Sequence, residues 1–235
     1  MTPIQEALRL FRQRFWWIFL VLILYVIPIQ LLYTLAVNYT TLPFQLFGIP
    51  VWTAMTQAFF MFICLFLIQL PFISMAFQYA QNREVRLGKT LIGALDPMFS
   101  IYIMGIFLSL FIVIGSLLFI VPGVILMILF FGISCAAVIE EKTWWKGLKQ
   151  SFLFGKEHFF KLLGWIVLFG IIDLIASFVT YLLVYSITGL YLVLNLSLIM
   201  VNGLIFSILF FVVAFYYYDW SDAGIDSAEF GFLLR

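Results

Sequence analysis

Sixty-eight consecutive residues, Phe15 to Asn82, carry no charge. A bilayer span takes about 20 apolar residues, so this run is long enough for two spans and a turn. Two further runs repeat the theme. Met98 to Ile139 is uncharged over 42 positions, and Leu162 to Tyr218 holds one charge, Asp173, in 57. Hydrophobic residues make up 66% of the chain and charged residues 10%, with a mean hydropathy of +1.19. Soluble domains sit near 45–50% and about 25%. The expected fold class is all-α, a polytopic membrane protein. Alternating ten-residue strand patterns are absent, which argues against a membrane barrel.

Breakers place the turns. Asn, Thr, Pro and Gly cluster in "NYTTLPFQLFGIP" (Asn38–Pro50), which divides the first run into spans at about 15–36 and 51–79. One helix over Met98–Ile139 would be about 63 Å long, twice the hydrocarbon thickness. Pro122-Gly123 is the strong breaker near its middle: Pro removes a helix hydrogen bond and Gly admits turn dihedrals. The expectation is a tight hairpin with its tip at Pro122-Gly123, between spans at about 98–120 and 123–140. "YSITGLY" (Tyr185–Tyr191) separates two last spans, about 160–185 and 190–217. Six spans result. The first is expected to be retained and not cleaved as a leader, because it is long enough to span and no small-residue cleavage site follows.

Eleven of the twelve Lys and Arg fall in three places: before span one, between spans two and three, and between spans four and five. The twelfth is Arg235. All four places lie on one side of a six-span layout, so the positive-inside rule expects cytoplasmic N and C termini. Aromatic residues flank the spans, including Trp16, Trp17, Trp52, Trp144, Trp145 and the run Tyr216–Trp220, as interfacial anchors do. A net charge of +1 implies no nucleic-acid partner.

The basic segments have helical spacing. "IQEALRLFRQRF" sets Ile4, Ala7, Leu8, Phe11 and Phe15 against Glu6, Arg9, Arg12 and Gln13. "EVRLGKTLIGAL" sets Leu87, Leu91, Ala94 and Leu95 against Arg86 and Lys89; Asp96-Pro97 is then expected as N-cap and first helical residue of span three. "TWWKGLKQSFLFGKE" sets Trp144, Trp145, Leu148 and Phe152 against Lys146, Lys149, Gln150, Lys156 and Glu157, with Thr143 as N-cap and Gly155 as the C-terminal stop. Each segment is expected to lie flat in the inner interface. There Arg9, Arg12, Arg14, Arg83, Arg86, Lys89, Lys146 and Lys149 would contact anionic lipid headgroups, at about 1 kcal/mol per cation. The chain thus reads as a single integral membrane domain, 1–219, of three units (about 1–81, 82–141 and 142–219), each a flat basic helix and a two-span hairpin. A short acidic cytoplasmic tail, 220–235, follows.

The stretch from Leu87 to about Ile171, centred on "VPGVILMILFFGISCAAVIEEKTWWKGLKQSFLFGKEHFFKLLG", resembles a bacterial six-span inner-membrane family. Its members carry a similar (I/V)PG turn, an apolar span, an acidic residue and a "G…A/G-L-K-x-S" amphipathic helix. The family includes small stand-alone proteins of unknown function and the membrane domain fused to some glycerophosphoryl diester phosphodiesterases. The resemblance implies a fold and a bacterial plasma membrane. It does not imply catalysis, because the fused enzymes carry their chemistry in a separate soluble domain.

The residues themselves offer little chemistry. The one histidine, His158, cannot supply H-E-x-x-H. "GIID" (Gly170–Asp173) lacks the second glycine of an aspartyl intramembrane protease and has no partner aspartate. "EEKTWWK" has Trp145 where membrane prenyl-protein proteases carry Arg. Phosphate-loop and nucleophile-elbow patterns are absent. Cys64 and Cys135 read as small hydrophobes, and no cofactor is indicated. Glu140 and Glu141 mark the inner end of span four, in water or paired with lysines.

What remains is a set of intramembrane polar residues. Gln30 and Gln57 are expected at one depth, hydrogen-bonded across the first hairpin. Asp173 in span five and Asn202 in span six should meet near mid-depth. Their contact is either a structural hydrogen bond or a polar site for a proton or substrate. The leading functional expectation is a non-catalytic membrane protein acting as accessory, scaffold or assembly subunit. Alternatives are a carrier for a lipid or other amphiphile, and a bacteriocin-immunity or envelope-stress protein. Expected partners are membrane lipids and another membrane or peripheral protein.

Overall fold

The computed structural model describes residues 2–81 and 84–221, and no strand occurs among them. α1 (Pro3–Gln13) and α2 (Phe15–Val21) meet at Arg14, and a π-turn (Leu22–Val26) joins α2 to α3 (Ile27–Leu46). Then come α4 (Pro50–Ala80), α5 (Leu87–Leu95), α6 (Met98–Leu118), α7 (Ile120–Phe130), α8 (Ile133–Ile139), α9 (Trp144–Glu157), α10 (Phe159–Ile187) and α11 (Tyr191–Trp220). Six stretches are long and apolar enough to cross a membrane: Phe15–Leu46, Pro50–Ala80, Met98–Leu118, Ile120–Ile139, Phe159–Ile187 and Tyr191–Trp220. The chain is an all-α polytopic membrane protein. The short helices α1, α5 and α9 each precede one hairpin. They lie at one end of the bundle, where α1 packs on α11, α5 on α4 and α9 on α8. We call this the basic end. Arg83 and the tail beyond Ser221 lie outside the described residues.

Span one is ten residues longer than its composition suggests. α3 continues through "NYTTLPFQL" to Leu46, and the turn is Phe47–Ile49, where Gly48 takes φ +67°. The threonines do not break the helix. Thr40 Oγ1 donates to the Ala36 carbonyl at 2.6 Å and Thr41 Oγ1 to Val37 at 2.7 Å, so their hydroxyls are satisfied within the helix.

Pro122-Gly123 is not the hairpin tip. The turn is the single extended residue Phe119, and both Pro122 and Gly123 lie in the first turns of α7. Pro122 is tolerated there because first-turn amides need no intrahelical acceptor. Gly123 permits close approach: a Cβ on it would fall 2.9 Å from the Ile112 carbonyl oxygen.

Two further proline effects shape the bundle. The π-turn (Leu22–Val26) ends two residues before Pro28, whose ring would clash with the carbonyl four residues back, at Leu24 inside the π-turn. Pro71, inside α4, leaves the Leu67 carbonyl without its helical donor. The Tyr25 hydroxyl, from the π-turn, fills that role at 3.2 Å. In lipid an unpaired carbonyl costs several kcal/mol (about the price of a lost hydrogen bond in hydrocarbon), so this contact locks span one to span two.

The three short helices differ in detail from their sequence reading. Asp96 has αR backbone and closes α5, so it cannot cap span three, and Pro97 takes the N-cap position. Thr143 does hold the extended N-cap geometry of α9, but its side chain makes no capping bond. The face of α9 packed on the protein is Gly147, Ser151, Phe154 and Gly155, whereas Trp145 and Phe152 point outward. Gly155 is no helix stop. A Cβ there would lie 2.6 Å from the Leu129 Cα, so glycine is what lets α9 press against α7.

Packing is concentrated toward the basic end. The α4 segment Phe66–Ala76 is buried throughout, and it meets Leu209–Tyr218 of α11 and Ile133–Ala137 of α8. Lipid is as apolar as these side chains, so fit and internal hydrogen bonds hold the helices together, not water exclusion.

Candidate functional site

Two polar regions emerge, one between the spans and one at the basic end. The first adjoins a partly open cavity of about 450 Å³ between spans one, two, four, five and six. Its walls are apolar, with Val26, Phe62, Met127, Ile166, Leu198 and Phe206 among them. Its polar lining comprises Gln30, Tyr33, Asn195 and Asn202, with the Cys64 thiol. The π-turn contributes Val26, and the Gly203 backbone allows α11 to approach Leu22 there, since a Cβ would lie 2.5 Å from its Cδ2. Both features lie in the cavity wall itself.

Asp173 and Asn202 do meet. With its nitrogen turned toward its neighbours, the Asn202 amide donates to Asp173 Oδ1 at 3.1 Å, to Ser177 Oγ at 2.9 Å and to the Leu198 carbonyl at 3.2 Å. Amide orientation follows from these acceptors, all on one side. Asp173 stands behind Asn202 and does not line the cavity; Asn202 does. Ser177 is the member of this cluster that the sequence reading missed. Its position four residues after Asp173, one turn along the same face, was the available signal.

Gln30 and Gln57 do not share a depth. Gln30 is 16 residues from the end of α3 at Leu46, and Gln57 is seven from the start of α4 at Pro50. At 1.5 Å per residue their depths differ by about 14 Å. The expected pairing fails because span one runs on to Leu46. Gln30 instead lines the cavity, while Gln57 is exposed.

The second region is centred on Glu140, whose side chain is buried. It pairs with Lys142 and accepts from the Tyr217 hydroxyl at 2.8 Å and from Gln150 Nε2 at 3.1 Å. One carboxylate thereby ties together the end of α8, α9 and α11. The turn that delivers it is strained: Glu141 and Trp144 take φ +53° and +56°, conformations non-glycine residues avoid. Tyr217 is fully buried, so this part of the aromatic run is bundle core and not interfacial anchor. Beside it the Trp220 indole donates to Glu157, and His158 stacks on Phe154 with centroids 5.0 Å apart. Gln78 makes a similar joint between α4 and α5, donating to Thr90 Oγ1 at 3.0 Å and accepting from the Arg86 amide at 3.2 Å.

The candidate headgroup cations are Arg9, Arg12 and Arg14 on and after α1, Arg86 and Lys89 at α5, and Lys146 and Lys149 on α9. All but the half-buried Arg14 are exposed, and Arg86 pairs with the exposed Glu84 at 3.0 Å. No family model matches the chain, and no curated protein and no solved structure matches it either.

Proposed function

We propose that this multi-pass membrane protein is non-catalytic and binds an amphiphile in its intramembrane cavity, as a carrier or holding site. The observation behind the proposal is the 450 Å³ cavity itself, within the 300–1,000 Å³ typical of small-molecule sites and mostly apolar with a few convergent amides. A purely structural scaffold would need no such space. The loose packing of α10, which contacts α11 and little else, leaves a lateral route from lipid. A bacterial plasma membrane is proposed from the resemblance carried by Leu87–Ile171. Cytoplasmic termini are proposed from the one-sided Lys and Arg, with α1, α5 and α9 seated on anionic headgroups.

Gly170 provides the test. It lines the cavity, and a Cβ there would touch nothing within 4 Å. Gly170→Trp should fill the space without disturbing the fold. Native mass spectrometry of wild-type protein in mild detergent should show a retained amphiphile, and Gly170→Trp should lack it at unchanged helicity. Equal retention by the two proteins overturns the reading.

A further inference from the structure

The polar chemistry of the cavity narrows what it accepts. We infer that it selects an uncharged single-chain amphiphile with a hydroxyl-bearing head, and discriminates against an anionic phosphate head on the same chain. The inference rests on the amphiphile reading above and adds the head-group class.

Every polar side chain of the lining is neutral: two asparagines, a glutamine, a tyrosine and a thiol. Among the described residues no Lys, Arg or His lines it. The described cations sit on α1, α5 and α9, in their flanking turns, or, for Lys161, in the first turn of α10. These positions are all at the basic end, whereas Asn202 is 11 residues along α11 from the other end. A phosphate drawn into the cavity would lose its hydration and meet no counter-charge, which is the costliest way to bury an ion. Asp173 offers no relief, since a carboxyl group neither neutralises an anion nor lines the cavity.

The orientation of Asn202 sharpens the choice. Its nitrogen is committed to Asp173, Ser177 and Leu198. What it has left to offer a ligand is Oδ1, an acceptor. An acceptor requires a donor on the ligand, and an ionised phosphodiester has none at its phosphate oxygens. A hydroxyl donates to Asn202 Oδ1 and also accepts, which matches the mixed donor and acceptor capacity of Gln30 and Tyr33. The apolar walls, from Met61 and Phe62 to Phe210, take the hydrocarbon chain.

A matched pair of probes tests this: monooleoylglycerol and oleoyl-lysophosphatidylglycerol, which share one acyl chain and differ by the charged phosphate head. Each is titrated onto the full-length protein in neutral detergent and read by native mass spectrometry. Wild type should bind monooleoylglycerol about tenfold more tightly than the lysophospholipid. Asn202→Leu and Gln30→Leu should each weaken monooleoylglycerol several-fold and narrow its advantage over the lysophospholipid. If Asn202→Leu fails to fold, Gln30→Leu and Tyr33→Phe decide the point. Equal binding of both probes, abolished by Gly170→Trp, overturns the head-group selectivity while the amphiphile site stands. Binding of neither probe above the Gly170→Trp level overturns both. Preference for the lysophospholipid overturns the inference outright.

Discussion

α4 and α10 are equal in hydropathy and opposite in packing. Their most apolar windows average 2.3 and 2.4, yet 67% of one is buried in the protein and 11% of the other. Hydropathy therefore reports that both helices cross a membrane and says nothing of what they touch. The difference lies in what their small and polar residues meet. The α4 face that meets other helices carries Ser74 and Gln78, and it receives Tyr25 and Ser134 on its carbonyls. The glycines of α10, Gly164 and Gly170, meet nothing, whereas Gly155 of α9 rests against backbone. The basic half is a fitted joint and the half around α10 is an open one.

The most direct way to break this comparison is to add one side chain to each half. Gly155→Leu drives atoms into the Leu129 backbone, which cannot retreat as a flexible side chain could. Overpacking costs about 1–3 kcal/mol and more against backbone, so the loss should reach or exceed about 3 kcal/mol. Gly170→Leu should cost nothing, because its Cβ site is empty and leucine favours helix by up to about 1 kcal/mol over glycine. Thermal unfolding in one detergent compares them. Similar losses at both positions would erase the distinction between the halves.

The hydrogen bonds give the next effect. Tyr217→Phe removes a donor from the buried Glu140 carboxylate and should cost about 1.5–3 kcal/mol, as bonds to charged groups do. In the open half, Asp173→Leu takes an acceptor from Asn202 and should cost about 0.6–2 kcal/mol. Asp173→Asn keeps a hydrogen-bonding side chain there and should fold at wild-type stability. If Asp173→Leu proves more damaging than Tyr217→Phe, the open half is held more tightly than its burial implies.

The same contrast explains which parts of the molecule were legible in its sequence. Uncharged runs give the spans, because insertion depends on composition alone. The Asp173–Asn202 contact was legible because two polar residues in lipid have few other partners. Turn positions were not. Thr40, Thr41 and Pro43 look like breakers, but within a membrane the backbone has no water to turn to, and the threonine hydroxyls bond inside the helix. Gly123 and Gly155 look like turn and stop, but serve close approach, which depends on a partner helix distant in sequence. Glu140 and Tyr217 are 77 positions apart, and nothing local marks either as buried. The cavity is equally silent, since it is defined by what the lining from five spans leaves unfilled.

The smallest expected effect is at the junction of α1 with α11, on the fitted side. Glu6 lies half-buried there, and burial, with the Asp219 carboxylate second, holds its carboxyl above the ordinary value of 4.5. Arg9 and the chain's amino terminus partly offset this. A raised acid binds its proton more tightly in the folded than in the unfolded state. Folded stability from this group is therefore fully present below the ordinary value, and it is lost as pH rises through the raised one. Above both, the penalty is constant. Glu6→Gln lacks the titration, so its unfolding temperature should exceed wild type at pH 7 and the two should converge near pH 4. Both proteins are compared by thermal unfolding from pH 4 to 8. A gap that stays constant across this range would show that α1 docks on α11 without feeling this charge.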